Sequence, residues 1–284
     1  MAKTPRRWLA PLWIIAGLVW APLPALSQVE QLPHWSGQGI APVYEGFDHN
    51  PDGSYNMWFG YMNRNFEETL DLPVGPSNAF EPQGTTGPRG DAGQPTHFLP
   101  RRHKDVFNVV VPKDFGDKKL VWTITVRGTA EKVTGTLNPI WEIDRRRTTR
   151  GGNSESVDSN TPPIVQAEPA DQTIALTDQA ALRVSATDDG LPKRRGKTLG
   201  MTVVWSKYRG PGKVTFQPAM HPPRDVVTEA LTRATFSEPG VYLLQVVVDD
   251  GSGETAGNFG YHCCWTNARV TVTVEGSGQR SAQR

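Results

Sequence analysis

Short runs rich in valine, threonine and aromatic residues recur along this chain, and clusters of glycine, proline, aspartate and asparagine separate them. Such runs favour β-strands, and such clusters favour turns. Stretches with helical periodicity are nearly absent. The chain also contains 28 glycines and 24 prolines, which disfavour helices. The pattern therefore predicts an all-β protein.

The N-terminus has the organisation of a secretory signal peptide. A basic start, MAKTPRR, precedes the apolar run WLAPLWIIAGLVWAPLPALS, which ends in small residues. We expect cleavage after Ser27, so that residues 1–27 form the signal peptide. The run is also close to the length of a membrane span, and an uncleaved anchor is the alternative. No second long apolar run follows, so we expect an exported protein, periplasmic or extracellular, with no membrane span in the mature chain.

The charge balance excludes one class of partner. Cleavage would remove three of the 30 basic residues and leave 27 against 29 acidic ones. A nucleic-acid binder needs a basic face, so we expect no nucleic-acid partner. Two cysteines are too few for a disulfide-built scaffold, so apolar cores must hold the domains together.

Residues 41–142 are predicted to form an N-terminal β-sandwich domain, after a flexible lead-in over 28–40. The runs VYEGF and SYNMWFGYMN flank a Pro-Asp-Gly turn, which predicts a β-hairpin. The second run is apolar on both parities, which is typical of a strand that is central in its sheet or buried on both faces. Trp58, in this run, is expected in the core. The number of such runs is typical of a sandwich.

Residues 143–163 are polar, charged and rich in glycine, proline and serine, which predicts an interdomain linker. Residues 164–276 then alternate between strand-like runs and turns, as expected for a second β-sandwich. The tail over 277–284 is too polar to fold alone and is predicted to be disordered. The complete prediction is two immunoglobulin-like β-sandwich domains joined by a polar linker.

Three strings in the second half carry a family resemblance: VVWSKYRGPGKVTF, RATFSEPGVYLLQVVVDDG and NARVTVTVEG. Together they resemble PKD-type and related immunoglobulin-like domains, which implies a core position for Trp205. The residues agree independently, because Pro239-Gly240 predicts a turn from which Tyr242 reaches back with its hydroxyl, as in a tyrosine corner. The first half resembles an uncharacterised domain of secreted bacterial proteins through GQPTHFLPRR. Neither resemblance implies an activity.

The two cysteines are adjacent, Cys263 and Cys264, within a segment, SGETAGNFGYHCCW, that PKD-type domains lack. Consecutive Cα atoms lie about 3.8 Å apart, whereas ordinary disulfides prefer about 4.4–6.8 Å. A vicinal disulfide therefore requires a local turn, although an oxidising compartment favours its formation. Free structural thiols, a disulfide to another chain, and a copper or zinc site helped by His262 are the alternatives.

Two further sets of residues are candidate binding groups. The acidic loop ends Asp188-Asp189 and Asp249-Asp250 could share a calcium ion if both loops lie at one end of the sandwich. Trp35, Trp141 and Trp265 lie outside the most apolar runs, so they are the aromatic residues that a carbohydrate site would use. The string Arg89-Gly90-Asp91 is interpreted as part of a flexible loop.

No nucleophile elbow, metalloprotease motif or phosphate-binding glycine loop is present, so we expect no enzymatic activity and no obligatory cofactor. The sequence favours a non-catalytic binding or structural module that presents loops to a protein or carbohydrate partner. The alternative is a periplasmic metal-binding or thiol-redox accessory protein centred on the adjacent cysteines.

Overall fold

A computed structural model describes residues 34–81, 90–143, 160–191, 193–194, 197–252 and 264–276. The predicted signal peptide, most of the predicted linker, the tail, His262 and Cys263 lie outside these ranges. Within them the regular structure is β except for one short 3-10 helix, Pro139–Trp141, which confirms the all-β class. No helix in the described ranges is long and apolar enough to span a bilayer.

The first half forms two three-stranded sheets, β1-β2-β6 and β4-β7-β8, and a short pair, β3-β5. The strands are β1 (Ile40–His49), β2 (Tyr55–Asn63), β3 (Leu70–Asp71), β4 (Asn78–Glu81), β5 (His97–Phe98), β6 (Arg101–Val111), β7 (Leu120–Val126) and β8 (Thr129–Gly135). The predicted hairpin is confirmed, because β1 pairs antiparallel with β2. The central position of β2 is confirmed as well.

An aromatic cluster fills the core of the first half. The rings of Phe80 and Trp122 stack with centroids 5.4 Å apart, and Phe59 meets Phe80 edge to face at 5.0 Å. The indole N–H of Trp122 donates to Asn78 Oδ1 at 2.9 Å, so the buried ring leaves no unpaired donor. Strand alternation explains this core, because residues of one parity on each strand face inward.

Trp58 departs from its predicted core position. It is only partly buried, because Met57 and Phe59 occupy the inward parity of β2 and turn Trp58 to the opposite face. Its indole N–H donates to Asp48 Oδ2 at 3.0 Å. Apolar residues at both odd and even positions therefore predicted the central position of the strand correctly, but they did not predict which face Trp58 occupies.

The second half is a two-sheet sandwich with a common core. Its sheets are β10-β19-β18-β14-β16 and β15-β17-β11-β9, and a short pair, β12-β13, lies beside them. The strands are β9 (Ile164–Glu168), β10 (Asp171–Ala175), β11 (Ala180–Thr187), β12 (Lys193–Arg194), β13 (Lys197–Thr198), β14 (Met201–Arg209), β15 (Val214–Gln217), β16 (Met220–Arg224), β17 (Val227–Phe236), β18 (Gly240–Asp249) and β19 (Trp265–Glu275). Strict inside–outside alternation along β17 is typical of a strand with one face on a core.

Two features predicted for the second half are confirmed. Trp205 is buried in the core with 3% of its surface exposed. Tyr242 is fully buried, and its hydroxyl donates to the carbonyl of Glu238 at 2.7 Å, which is the predicted tyrosine corner.

The two halves belong to one compact unit and make direct contact. Tyr208, on β14 of the second half, is buried in the core cluster of the first half. Its hydroxyl donates to the carbonyl of Gly93 at 2.5 Å, and its own carbonyl accepts from the N–H of Thr96 at 3.0 Å. Arg269 of β19 adds a hydrogen bond to the carbonyl of Val106 at 2.9 Å. The two halves are therefore joined by direct side-chain and backbone contacts as well as by the segment that connects them in sequence.

Candidate ligand-binding cleft

A cleft of about 1120 Å³ lies between residues 69–99 of the first half and residues 204–238 of the second. Pro73, Val74 and Leu99 line it from the first half, and Val214 and Phe216 from the second. Small-molecule pockets are commonly of this size or smaller, and domain junctions are a frequent place for them. We call this space the large cleft.

A charged group links the two halves across the large cleft. Asp71 Oδ1 lies 2.8 Å from His97 Nδ1 and 3.0 Å from Lys207 Nζ. The Lys207 side chain is 6% exposed, and its ammonium also donates to the carbonyl of Gly212 at 2.6 Å. A lysine this buried needs such partners, because an unpaired ammonium would lose its hydration without compensation.

The same contacts set the acidity of Asp71. Partial burial disfavours its charged form, but the hydrogen bonds from His97 and Lys207 outweigh burial and hold the pKa of Asp71 below its usual value. The carboxylate is therefore ionised at neutral pH, and its charge is balanced by the neighbouring ammonium.

A second ion pair also lines the cleft. Both carboxylate oxygens of Asp91 accept from the guanidinium of Arg209, at 2.8 and 3.0 Å. Arg209 Nε also donates to the carbonyl of Gln94 at 2.8 Å. The hydrogen bonds from Arg209 hold the pKa of Asp91 below its usual value. This pair engages the aspartate of the Arg-Gly-Asp string in a contact between the halves, which the flexible-loop interpretation did not foresee.

The loop between β14 and β15 is shaped by its glycines. Gly210 has φ of +130°, and a Cβ there would lie 2.5 Å from the ring of Tyr242. Glycine is therefore required at this position, where the backbone approaches the tyrosine corner closely. The loop carries the chain from one sheet to the other and leads β15 along the cleft.

Aromatic side chains form part of the cleft wall in the second half. The rings of Trp205 and Phe216 stack with centroids 6.4 Å apart and an interplanar angle of 17°. The indole Nε1 of Trp205 is buried and has no hydrogen-bond partner among the described residues. Buried polar atoms are rarely left so. Trp205 also lines the cleft, so its fluorescence can report changes there.

The cleft carries no net charge of consequence. Its ionisable lining residues are three acidic groups, three basic groups and one histidine: Asp71, Asp91, Glu238, Lys207, Arg209, Lys213 and His97. Two acidic and two basic members pair with each other, which leaves Lys213 and Glu238 exposed at the rim. The arrangement suits a ligand that is itself close to neutral.

The predicted cysteine site is described in part. Cys264 is disulfide-bonded and fully buried, and its N–H donates to Ser252 Oγ at 3.1 Å. The chain has two cysteines, so Cys263 is the one partner that the chain itself offers. Cys263 and His262 lie outside the described residues, and the vicinal pairing and the metal alternative both stay predictions.

The predicted calcium residues lie at one end of the second sandwich. Asn160 Nδ2 donates to Asp250 Oδ2 at 2.8 Å, while the N–H and hydroxyl of Thr161 donate to Asp189 Oδ2 at 2.9 and 2.7 Å. Neighbouring residues 160 and 161 thus connect the two acidic loops. Across the described ranges, however, no three histidine, cysteine or acidic side chains are grouped so as to hold a metal ion. Calcium binding by these loops therefore stays a hypothesis, which calcium addition tests.

The three candidate tryptophans are placed separately. Trp35 is 57% exposed and Trp141 is 47% exposed, and they pack on Phe66 and Tyr44 respectively. Trp265 is 9% exposed and lines, with the partly buried Trp58, a smaller pocket of about 280 Å³. Two of the three therefore keep accessible ring surface, and none of them lines the large cleft.

The large cleft uses residues that the sequence did not single out as a site. Asp71 and Lys207 carry no local motif, and nothing in a single sequence indicates that they meet. The string GQPTHFLPRR is the one available signal, since it contains His97 and borders the contact with Tyr208.

No protein-family model matches the chain, and no curated protein matches it. A solved structure of WR4, a C. elegans MSP family member, is 7% identical, covers 39% of this chain and 97% of its own, and has a TM-score of 0.27. A conjugative transposon lipoprotein from Bacteroides eggerthii is 11% identical, covers 38% of this chain and 96% of its own, and also has a TM-score of 0.27. Domains 4 and 5 of the S-layer protein SbsC are 10% identical, cover 56% of this chain and 65% of their own, and have a TM-score of 0.25. TM-scores of this size assign neither family nor function, and the PKD-type resemblance is not confirmed by them.

Proposed function

We propose that this chain is an exported, non-catalytic binding module and that its ligand, part of a protein, occupies the large cleft. The observation that carries the proposal is the cleft itself, which lies between two sandwiches held together by buried contacts. Its walls are largely apolar and four of its charged groups are paired, and a mostly apolar lining with a few placed polar groups is common at ligand-binding sites. The PKD-type assignment of residues 164–276 is part of this proposal, supported by the tyrosine corner and the buried Trp205.

Export is supported by two independent features. Residues 1–27 have the organisation of a signal peptide. The disulfide at Cys264 is typical of an oxidising compartment such as the periplasm or the extracellular space.

The cleft contains a carboxylate–histidine hydrogen bond and a serine, as hydrolytic sites do. The ammonium of Lys207 contacts the carboxylate of Asp71, so the charge that would stabilise an imidazolium is already balanced. Ser206 also lines the cleft, but its hydroxyl has no hydrogen bond to His97 among the described contacts. A nucleophile normally lies within hydrogen-bond reach of its base. A binding role is therefore favoured over catalysis.

Site-specific photo-crosslinking in the native host tests the proposal. With a benzophenone amino acid at Lys213 on the cleft rim, we expect one discrete protein adduct. The matched control is Glu229, exposed on the outer face of β17 and away from the cleft. We expect no adduct there. Equal labelling at both positions, or binding to saccharides that depends on Trp35 or Trp141, would contradict a protein ligand in the cleft.

Thiol titration and metal analysis distinguish the proposed function from the cysteine-centred alternative. Because Cys264 is buried and disulfide-bonded, we expect no titratable thiol until a reductant and a denaturant are both present. We also expect no stoichiometric copper or zinc in the purified protein by elemental analysis. Cys264→Ser should lower the melting temperature without changing adduct formation at Lys213. Thiols that react in the native protein, or a bound soft metal, would favour the accessory role instead.

A further inference from the structure

The strand β15 is at the edge of its sheet and borders the large cleft. Its sheet has the order β15-β17-β11-β9, so β17 is its one paired neighbour in the described residues. Val214 and Phe216, the first and third residues of this strand, both line the cleft. An edge strand has one row of backbone groups without strand partners, and here that row borders a groove.

The pairing register identifies which backbone groups are open. Val214 lies opposite Phe236, and one position earlier the N–H of Ser237 donates to the carbonyl of Lys213 at 3.0 Å. Hydrogen-bonded and non-bonded pairs alternate along an antiparallel ladder. Val214 and Phe216 therefore turn their N–H and C=O groups away from β17. Within β15, the two residues that line the cleft are thus the ones with open backbone groups.

This edge lacks the protection that another edge strand has. Strand β16, at the edge of the other sheet, contains Pro222 and Pro223, which cannot donate to a neighbouring strand. Strand β15 reads Val-Thr-Phe-Gln and contains neither a proline nor a charge. Natural sheets usually protect their edges with such residues, and here Lys213 and Pro218 flank β15 without interrupting it, so its four residues stay open to a short added strand.

The lining of the cleft indicates the chemistry of that strand. Each of the ion pairs Asp71–Lys207 and Asp91–Arg209 is neutral as a whole. The exposed rim adds the positive charge of Lys213 and the negative charge of Glu238. The remaining lining is largely apolar. An extended segment with alternating apolar residues and little net charge complements this surface, whereas a strongly charged segment would have to desolvate its charges without partners.

We infer that the ligand of the large cleft is an extended, nearly uncharged segment of another protein, which adds to the open edge of β15 as a fifth strand of its sheet. This inference depends on the proposed function, since it names the ligand class of the same cleft. Main-chain hydrogen bonds to Val214 and Phe216 give such a complex its affinity, and the apolar wall selects alternate side chains.

A synthetic peptide of alternating valine and threonine, capped at both ends, is the probe. We expect it to change the intrinsic fluorescence of the full chain in a saturable manner. Val214→Pro should weaken binding at least ten-fold, because it removes the outward N–H at a strand's first position, where proline is tolerated. Val214→Ala keeps the N–H and trims the same cleft-lining side chain, so it is the matched control and should weaken binding several-fold less than Val214→Pro does.

Hydrogen exchange gives a readout that does not depend on how the proline variant folds. In the wild-type protein, saturating peptide should slow exchange of the amides of Val214 and Phe216, and leave the amides of His221 and Arg224 in β16 unchanged. A peptide with a central proline, or with lysine in place of threonine, should not protect these amides.

Three results would overturn the inference. The first is unchanged exchange at 214 and 216 under saturating peptide, and the second is equal binding by Val214→Pro and Val214→Ala. The third is concentration-dependent self-association through β15, since the occupant would then be a second copy of the chain. If Lys213 still crosslinks to a protein while the first two results are obtained, the proposed function stands and only strand addition fails. If Lys213 gives no adduct either, both fail.

Discussion

Tyr208→Ala is expected to lower the free energy of unfolding by about 3–5 kcal/mol, the range found when large buried aromatic side chains are truncated. The ring belongs to the second half by sequence but is buried in the core cluster of the first. The guanidinium of Arg269 lies 4.1 Å from its centroid, so truncation also removes a cation–π contact. Urea unfolding followed by circular dichroism measures the loss.

The location of the damage distinguishes this explanation from a local one. Because Tyr208 contributes to both halves, amide exchange in β2 and β6 of the first half should accelerate together with exchange in β14. Tyr208→Phe is the matched control. It keeps the ring and loses the hydroxyl, whose hydrogen bond to the carbonyl of Gly93 is worth about 1 kcal/mol. If the alanine variant were no less stable than the phenylalanine variant, or if exchange accelerated in β14 alone, coupling of the halves through this ring would be wrong.

Asp250→Asn is expected to change how stability depends on pH. The carboxyl is 2% exposed, and burial raises its pKa to about 6, against 3.8 for an ordinary aspartate. Neighbouring Asp249 acts in the same direction, and hydrogen bonds from Ser252 and Asn160 act against it. The folded protein therefore holds the proton more tightly than the unfolded chain.

The sign of the effect follows from this difference. The protonated carboxyl contributes its full stability below the unfolded pKa, near pH 4, and the contribution is lost as pH rises through the folded pKa, near 6. Relative to the asparagine variant, the wild type should therefore lose on the order of 2–3 kcal/mol between pH 4 and pH 7.5. Chemical unfolding at several pH values measures the two curves.

Asp225→Asn, at an exposed position, is the matched control and should follow the wild-type curve. Parallel curves for the wild type and Asp250→Asn would show that this carboxyl does not titrate as stated. The melting temperature in millimolar calcium chloride tests whether the acidic loops bind calcium. A rise in melting temperature confined to the wild type at pH 7.5 would assign calcium to the acidic loops, and we expect no rise.

Local chemistry accounts for the parts of this fold that were predictable. A Pro-Asp-Gly turn between two strand-like runs specifies a hairpin without help from the rest of the chain. The Pro-Gly turn before Tyr242 likewise places its hydroxyl within four residues of the carbonyl that it contacts. Both interactions connect residues that are near in sequence, and both predictions are confirmed.

The position of Trp58 could not be predicted from the local sequence. Both parities of β2 are apolar, so the pattern does not say which face meets the core. The facing sheet decides this, because the aromatic cluster around Phe59 and Trp122 fills the space on one side. Trp58 is then left on the other face with Asp48.

The sequence by itself determined the all-β class, the hairpin and the tyrosine corner, because each depends on residue periodicity or on a short turn. Only the tertiary structure decided that Asp71 meets Lys207, that Asp91 meets Arg209, and that β15 has its open edge along the cleft between the halves. These contacts join residues distant in sequence. No local sequence pattern predicts such contacts, because they form only after both sandwiches have folded and packed against each other.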